Sequence, residues 1–396
     1  YLYAHTVFEH NARRRIPIRE PLKQPALPFG DEPFAPASEH ELAAACGVLI
    51  AGARGLSAPE AALLARARGA AVADAQLCSL SALIATGADP LGEAFLSLRS
   101  PTDRRADGAV YTPSIIVDSM IAWVSRQGEP ARIVDPGAGS GRFLASAACR
   151  FKSAQLVAVE ADPLAALMLR ANAVVQGWSP RLRLHVGDFR ELTLPAQSGV
   201  TAFVGNPPYV RHHGISPEWK NWYREACAAF GVRASALAGL HLHFFVQALR
   251  LAKVGDIGVF ITAAEWLDVN YGSALRQLLT ERLGGIELRV LEPTAEAFPG
   301  TATTAAITGF RVGALAEPVR VQVIERAADL GGLQTGVDIA RHTLRAHARW
   351  SVLVRHQRPT LAGSIELGEL FRVHRGQVTG ANEVWVAASD SPPVPD

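Results

Sequence analysis

Between about residues 109 and 312, short apolar runs of strand length alternate with longer stretches of helical period. That alternation leaves few folds open. The short runs are rich in Val, Ile and Leu with few polar breaks, as expected of strands buried on both faces of a sheet. The helical stretches between them cover those faces, so the pattern predicts a mostly parallel α/β sheet. Ile133-Val134 opens it, followed by a Gly-rich turn and a helix near 141–150. Residues 155–159, 182–186 and 200–204 read as the next three strands, with a helix to about Gln176 after the first of them. A helix over roughly 239–253 leads to a strand at 257–262 and a helix at about 273–283. The runs 286–291 and 304–312 have no helix between them and read as an antiparallel pair at one edge.

The flanks read differently. Residues 1–37 are rich in Pro and Arg and resemble an arm or linker. Residues 38–105 are Ala- and Leu-rich and predict a small helical region, in which Ser57-Ala-Pro-Glu60 has the spacing of a capping box. A catalytic domain is then expected over 106–335, and a further domain begins at 336–396. That last segment ends at Asp396 in a Pro-rich tail, short for a complete domain, and the first residue is Tyr rather than Met, as in a fragment or processed chain.

Composition narrows the function classes. Of 396 residues, 49% are apolar and 19% charged, which fits a globular chain. No apolar run approaches the roughly 18 residues a membrane span needs, so no membrane role is expected. The N-terminus does not resemble a signal peptide, and Cys46, Cys78, Cys149 and Cys227 are spaced too widely for a zinc site or a disulfide framework. A cytoplasmic location is expected. The formal charge of +2 says little, but from Arg341 to Arg375 seven Arg and four His face only two Glu, a segment suited to phosphates.

The chemistry gathers at the strand ends. Asp135-Pro136-Gly137-Ala-Gly139-Ser-Gly141 sits where a strand becomes a helix, and ligands of open α/β sheets bind beyond such ends. The run is not a P-loop, since no Gly-Lys-Ser/Thr follows, and its GxGxG spacing is not the dinucleotide fingerprint. Glu160 ends the second strand, where an acid bonds ribose hydroxyls. Asp188 and Phe189 end the third, offering an acceptor for an adenine amine and a ring to pack on it. Upstream, Tyr111-Thr112-Pro113 precedes a helix at 115–124, with Thr112 a natural N-cap and Pro113 a natural first helical residue. That helix start is a candidate site for a carboxylate.

Gly205-Asn206-Pro207-Pro208-Tyr209 leaves the fourth strand. An exocyclic base amine is a poor nucleophile because its lone pair is delocalised into the ring. Two acceptors, one for each hydrogen, let the nitrogen turn tetrahedral and attack. The Asn206 side-chain oxygen and the Pro207 carbonyl are those acceptors, the prolines stiffen the backbone, and Tyr209 offers a ring for the flat base.

Thr-Pro, the Asp-Pro-Gly-Ala-Gly-Ser-Gly turn, Glu160, Asp188-Phe189 and Asn-Pro-Pro-Tyr, in this order, resemble the gamma-class adenine-N6 DNA methyltransferases of restriction–modification systems. The likeness continues through 258–267, Tyr271-Gly272 and Ala297-Phe298-Pro299, and covers roughly residues 108–312. It implies a Rossmann-like class I methyltransferase sheet with helices on both faces. It also implies S-adenosyl-L-methionine as cofactor, leaving S-adenosyl-L-homocysteine, and double-stranded DNA as partner, with a restriction or specificity subunit besides. Tyr111, Thr112, Asp135, Pro136, Gly137, Gly139, Gly141, Glu160, Asp188, Phe189 and Asn206 then fall on the cofactor. Asn206, Pro207, Tyr209 and Phe298 fall on a flipped adenine. Gly376-Gln-Val-Thr-Gly-Ala-Asn382 resembles the opening of the family's recognition domain.

The chain departs from the family at His241-Leu-His243, where relatives often carry Asp-Leu-Tyr. Positions i and i+2 face different sides of a helix, so no metal site is expected there. Arg211-His212-His213 and the segment 219–224 place cations beside aromatics near the predicted site. Protein-glutamine, RNA-adenine and cytosine-N4 methylation share the acceptor geometry and remain rivals, as does a non-catalytic recognition component. No nuclease cluster is evident.

Overall fold

Every second residue of the central strands faces the same way, and the two sets of side chains build two cores. In β1 (Arg132–Asp135) Val134 points to one and Ile133 to the other, while in β4 (Thr201–Gly205) Phe203 opposes Ala202 and Val204. The computed structural model describes residues 34–52, 55–99, 111–295, 298, 304–331, 336–355 and 370. With β2 (Gln155–Glu160), β3 (Leu182–Val186), β5 (Ile257–Ala263), β6 (Gly285–Leu291), β7 (Ala305–Arg311), β8 (Val319–Ile324) and β9 (Val337–Ile339), they form one sheet. Its order is β3-β2-β1-β4-β5-β7-β6-β8-β9. The pairings from β3 to β5 are parallel, and β7 runs antiparallel between β5 and β6.

Four helices open the described chain: α1 (Glu39–Leu49), α2 (Ala58–Arg66), α3 (Asp74–Ala85) and α4 (Pro90–Leu98). Eight more follow among the described residues. These are α5 (Ser114–Gln127), α6 (Arg142–Arg150), α7 (Pro163–Val175), α8 (Pro217–Ala228), α9 (Leu240–Leu251), α10 (Ser273–Glu281), α11 (Arg341–Ala346) and α12 (Ser351–Arg355). The core on one face is filled by α5 and α6 against the strands, including Trp123, Phe143 and Phe151. On the other, Phe244, Phe245, Phe260, Phe310 and Trp266 pack with α8, α9 and α10. A third core joins α1–α4 to α7 through Leu42, Leu80, Phe95, Leu164 and Met168. The capping box at Ser57 and Glu60 is formed, and the buried Glu60 carboxylate also meets Arg170 Nε at 2.5 Å.

The sequence reading needs three corrections. The pair β6–β7 is antiparallel but is not an edge, because β8 pairs with β6 and β9 with β8. The strand at 319–324 is short and begins just after a Pro, which hid it. Second, the sheet unit runs past residue 336 to Val354. Arg341 is buried there and donates to the carbonyls of Leu279, Gly285 and Ala314, and Trp350 packs on Trp266 with centroids 5.9 Å apart. Arg341 is therefore structural rather than a phosphate contact, and Arg345 likewise donates to Thr280 O at 2.9 Å. Third, the N-cap of α5 falls on Pro113 rather than Thr112 and has no side-chain cap, which frees Thr112 for the contact described below. The recognition-like stretch 376–382, most of the arm, and Ala297 and Pro299 lie outside the described residues. No helix among the described residues is long and apolar enough to cross a membrane.

Gly258 on β5 shows how tightly the Phe-lined core is filled, since a Cβ built there would sit 2.1 Å from Phe310 Cζ. Gly258→Ala is expected to destabilise the fold by about 1–3 kcal/mol, the usual cost of overfilling a packed core. The check is the urea midpoint, and an unchanged midpoint would mean that Phe310 can swing clear.

Candidate active site

The strand order reverses between β1 and β4: β2 and β3 extend one way from β1, β5 the other from β4. A crevice opens at such a switch point beyond the carboxyl ends of the strands. The chain sends its two most distinctive segments into it, 136–141 after β1 and 206–210 after β4. The strands pair in register, Val134 opposite Phe203, so the two segments start side by side. Gly205 permits this approach, since a Cβ there would lie 2.7 Å from Asp135 Oδ1 and 3.2 Å from Pro136 Cδ.

The first segment is a tight turn. Gly139 (φ 54°) and Gly141 (φ 93°) are left-handed, a conformation other residues rarely take. Ala138 N–H donates to Val159 O at 3.0 Å, and Gly139 N–H to Glu160 Oε2 at 2.7 Å. Glu160 Oε1 accepts from Asp162 N–H at 2.9 Å. Burial raises the Glu160 pKa, and these backbone bonds offset only part of that cost. Asp135 lies beneath the turn, fully buried, with one weak bond from Gly137 N–H at 3.4 Å. Its Oδ2 has no partner, and burial, aided by the nearby Glu160 charge, pushes its pKa up to about 8.

The second segment is anchored at both ends. Val210 O accepts from Leu240 N–H at 2.9 Å, tying it to the start of α9. Asn206 Nδ2 donates to Thr112 Oγ1 at 3.1 Å, which fixes how the amide is turned. Pro207 is buried, and Tyr209 is half-buried with its hydroxyl 3.4 Å from Ile261 O. Burial raises the Tyr209 pKa, so the ring carries a neutral phenol.

Between the segments lies a cleft of about 230 Å³. Tyr111, Thr112, Pro136, Gly137, Gly139, Glu160, Asp188, Phe189 and Asn206 all wall it. Of the residues expected at the cofactor, only Asp135 and Gly141 stand behind the wall, one under the turn and the other shaping it. Pro207, Tyr209 and Phe298 do not line this cleft, and Phe298 is half-buried against the core on the α5 face. Phe189 is buried with its ring 5.1 Å from that of Phe244. Asp188 is held by Arg190, whose Nη2 lies 2.5 Å from Oδ2. The Arg190 guanidinium rests 3.8 Å above the Trp219 ring, so that Trp packs inward beneath a cation.

His241 and His243 are both buried and face different neighbours. The His241 ring lies 6.2 Å from Tyr209, while His243 stacks on Tyr223 at 4.3 Å. Burial lowers their pKa values to about 4 and about 3, the second helped by the Arg190 charge, so both are neutral near pH 7. Among the described residues no group of His, Cys, Asp and Glu is placed to hold a metal. Not foreseen from the sequence were Ser140 and Arg142, which line the cleft, and Asp89, Asn172 and Arg190, which bond to residues lining it. Only Asp89-Pro90 carried a signal, that of a helix start.

The fold is that of the class I methyltransferases. A putative class I S-adenosylmethionine-dependent methyltransferase from Listeria monocytogenes superimposes with a TM-score of 0.51 at 13% identity, covering 74% of this chain and 98% of that one. Residues 186–288 match the family model of the Eco57I restriction-modification methylase. The type II methyltransferase M.XamI of Xanthomonas campestris pv. amaranthicola is 56% identical over 91% of this chain and 68% of its own length. A tRNA1(Val) (adenine(37)-N6)-methyltransferase of Porphyromonas gingivalis (strain ATCC BAA-308 / W83) is 33% identical over 22% of this chain and 36% of its own. The chain belongs to the type II DNA methyltransferases of restriction–modification systems.

The raised Asp135 pKa has a consequence for stability. A carboxyl that keeps its proton in the folded state but ionises at about 3.8 when unfolded costs stability progressively between about pH 4 and pH 8. Asp135→Asn lacks that cost. Its Tm relative to the parent is expected to rise steadily across this window, and a pH-independent difference would show that Asp135 ionises normally.

Proposed function

We propose that this chain transfers the methyl group of S-adenosyl-L-methionine to the exocyclic N6 amine of an adenine turned out of duplex DNA, releasing S-adenosyl-L-homocysteine. The observation that carries the reading is the shared cleft: Asn206 and Pro208 wall the same cavity as Gly137, Glu160 and Phe189. The cofactor fits the donor set. Glu160 at the end of β2 suits ribose hydroxyls, and Phe143, Phe189 and Phe244 give apolar walls for a base. The backbone at Gly139 is open, with nothing within 4 Å of where a Cβ would be. Asp135 and Glu160, both with raised pKa values, favour a ligand that brings positive charge, as a sulfonium and an ammonium do.

When bound, S-adenosyl-L-methionine supplies an electrophilic methyl carbon. The chain's own residues prepare the amine. Asn206 Oδ1 and the Pro207 carbonyl each accept one of its hydrogens, drawing the nitrogen toward tetrahedral geometry and localising its lone pair. Thr112 holds the Asn206 amide by Nδ2, so Oδ1 is the acceptor. Tyr209 and Phe298 supply apolar surface for the base, and the extra proton on the nitrogen leaves to solvent. The buried, neutral His241 near Tyr209 keeps a competing charge out of this region. The catalytic gain is positional and electrostatic.

Duplex DNA is the substrate, and the adenine must leave the stack to reach Asn206, at a cost of a few kcal/mol. The exposed Arg211 and the paired rings of His212 and His213, 3.7 Å apart, lie just beyond Tyr209 and suit the displaced strand. The enzyme acts in the cytoplasm beside a restriction or specificity subunit of the same system. The catalytic sheet ends by Val354, and the segment after it begins the recognition domain.

The deciding experiment is transfer of labelled methyl to unmethylated duplex DNA, followed by nucleoside analysis. N6-methyladenine supports the proposal, and N4-methylcytosine would move the target to cytosine. Label appearing only in RNA or protein would overturn the DNA assignment. Asn206→Ala is expected to lower kcat by about 10²–10³, as for loss of one preorganised partner of the reacting group, with cofactor affinity kept. Thr112→Val, which loses one hydrogen bond, is expected to lower kcat by about tenfold. Glu160→Ala should weaken cofactor binding instead. Equal loss of cofactor affinity in Asn206→Ala would refute this division of roles.

A further inference from the structure

Asp89 precedes α4, in the helical region outside the sheet. Its side chain nevertheless reaches the cleft wall. Oδ1 accepts from Gly92 N–H at 3.0 Å, capping α4, and from Asn172 Nδ2 of α7 at 3.2 Å. Oδ2 accepts from Ser140 Oγ at 2.5 Å and from Arg142 Nε at 2.7 Å. Ser140 and Arg142 both wall the cleft. The connections run on from there. Arg142 Nη1 donates to Thr112 O at 3.4 Å, its guanidinium stacks 4.9 Å from the Tyr111 ring, and Asn172 Nδ2 also donates to Ser140 O at 2.9 Å. Thr112 in turn holds Asn206.

Gly92 makes room for this arrangement. A Cβ there would lie 2.2 Å from Asp89 Oδ2 and 2.6 Å from Tyr111 Cε1. Its φ is not left-handed, so the glycine is needed for space rather than for conformation. The turn it serves contains two left-handed glycines, 139 and 141, and such backbone has many alternatives open to it. Bonds to Val159 and Glu160 pin the 138–139 side of the turn. Ser140 and Arg142 are pinned by Asp89.

We propose that Asp89 is a positioning residue for the cofactor turn: one carboxylate of the helical region sets Ser140 and Arg142, and through Arg142 and Thr112 the opening of α5. The proposal rests on the S-adenosyl-L-methionine reading above. A control is built into the same interface. Glu60 and Arg170 dock the same helical region on α7 through a buried ion pair at 2.5 Å, and neither residue walls the cleft. Losing either acid strips a cation of its partner, but only Asp89 is bonded to the turn.

The test measures S-adenosyl-L-methionine affinity by calorimetry, alongside Tm, for the full chain and for Asp89→Asn and Glu60→Gln. The parent must bind first, since a parent that fails to bind sinks the cofactor reading and not this one. Asp89→Asn is expected to raise Kd by about tenfold, in the range seen when a supporting partner of a ligand-binding residue is removed. Glu60→Gln should leave Kd within about twofold whatever its Tm. Ser140→Ala, which removes one bond to Asp89 and leaves both charges, serves if Asp89→Asn does not fold, with a Kd rise of about threefold expected. Parallel Kd losses in Asp89→Asn and Glu60→Gln would reduce Asp89 to general docking. An unchanged Kd in a folded Asp89→Asn, or in the Ser140→Ala substitute, would also overturn the proposal.

Discussion

The site depends on one close approach, that of the β4 end to the β1 end at Gly205 and Asp135. Parallel pairing in register delivers two loops to the same level of the sheet, and the reversal of strand order keeps helices from filling the space above them. A side chain at position 205 would push the strand ends apart by its own contact with Asp135. The turn after β1 and the loop after β4 would then no longer share a wall. A methyl transfer, which needs donor and acceptor in line, tolerates little of that, since displacement of about 1 Å can cost two orders of magnitude in rate.

The same crowding has an electrostatic cost. The Glu160 charge helps raise the pKa of Asp135, the Asp162 charge adds to that of Glu160, and the hydrogen bonds to both acids come from backbone N–H groups. Burial dominates both shifts. For a purely structural purpose this is a poor design, because an Asn and a Gln would accept the same bonds without the desolvation. Two acids kept under strain beneath a cleft are more economically read as complementarity to positive charge arriving from outside. The neutral His241 and His243 on the far side fit that division: the side near Glu160 is acidic, and the side near Tyr209 carries no charge from them.

Periodicity and punctuation made the sheet legible from β1 through β7, because most of those strands are buried on both faces, the edge strand β3 excepted, and are separated by helices or turns with strong signals. Pairing was less legible. The order that inserts β7 between β5 and β6, and adds β8 and β9 beyond, depends on which apolar edge remains uncovered once the sheet is assembled. The cleft was legible where the sequence carries unusual residues, since the Gly-rich turn, Asn206 and Pro208 line one cavity. Support for those residues was not. Thr112 looked like a helix cap because Thr is favoured at the N-cap and Pro at the first helical position. Its hydroxyl instead meets an Asn 94 positions away, a contact that no local pattern encodes. Asp89 carried a cap signal and does cap α4, yet its second oxygen serves residues 51 and 53 positions on.

Those two residues show how the helical region becomes part of the catalytic unit. A half-buried carboxylate with two oxygens can satisfy several donors at once, and Asp89 uses both oxygens to join a helix start, a turn and a helix side. The joint is rigid because each donor is itself held: Asn172 by α7, Gly92 by the backbone of α4, and Arg142 by its further bond to Thr112. The path from Asp89 through Arg142 and Thr112 ends on the Asn206 amide, so the group that packs the helical region also bears on the acceptor loop. Apolar packing between α1 and α7 would hold the helical region on the sheet equally well, but it is non-directional. Directional bonds at Asp89 are what allow that packing to specify the shape of a cleft.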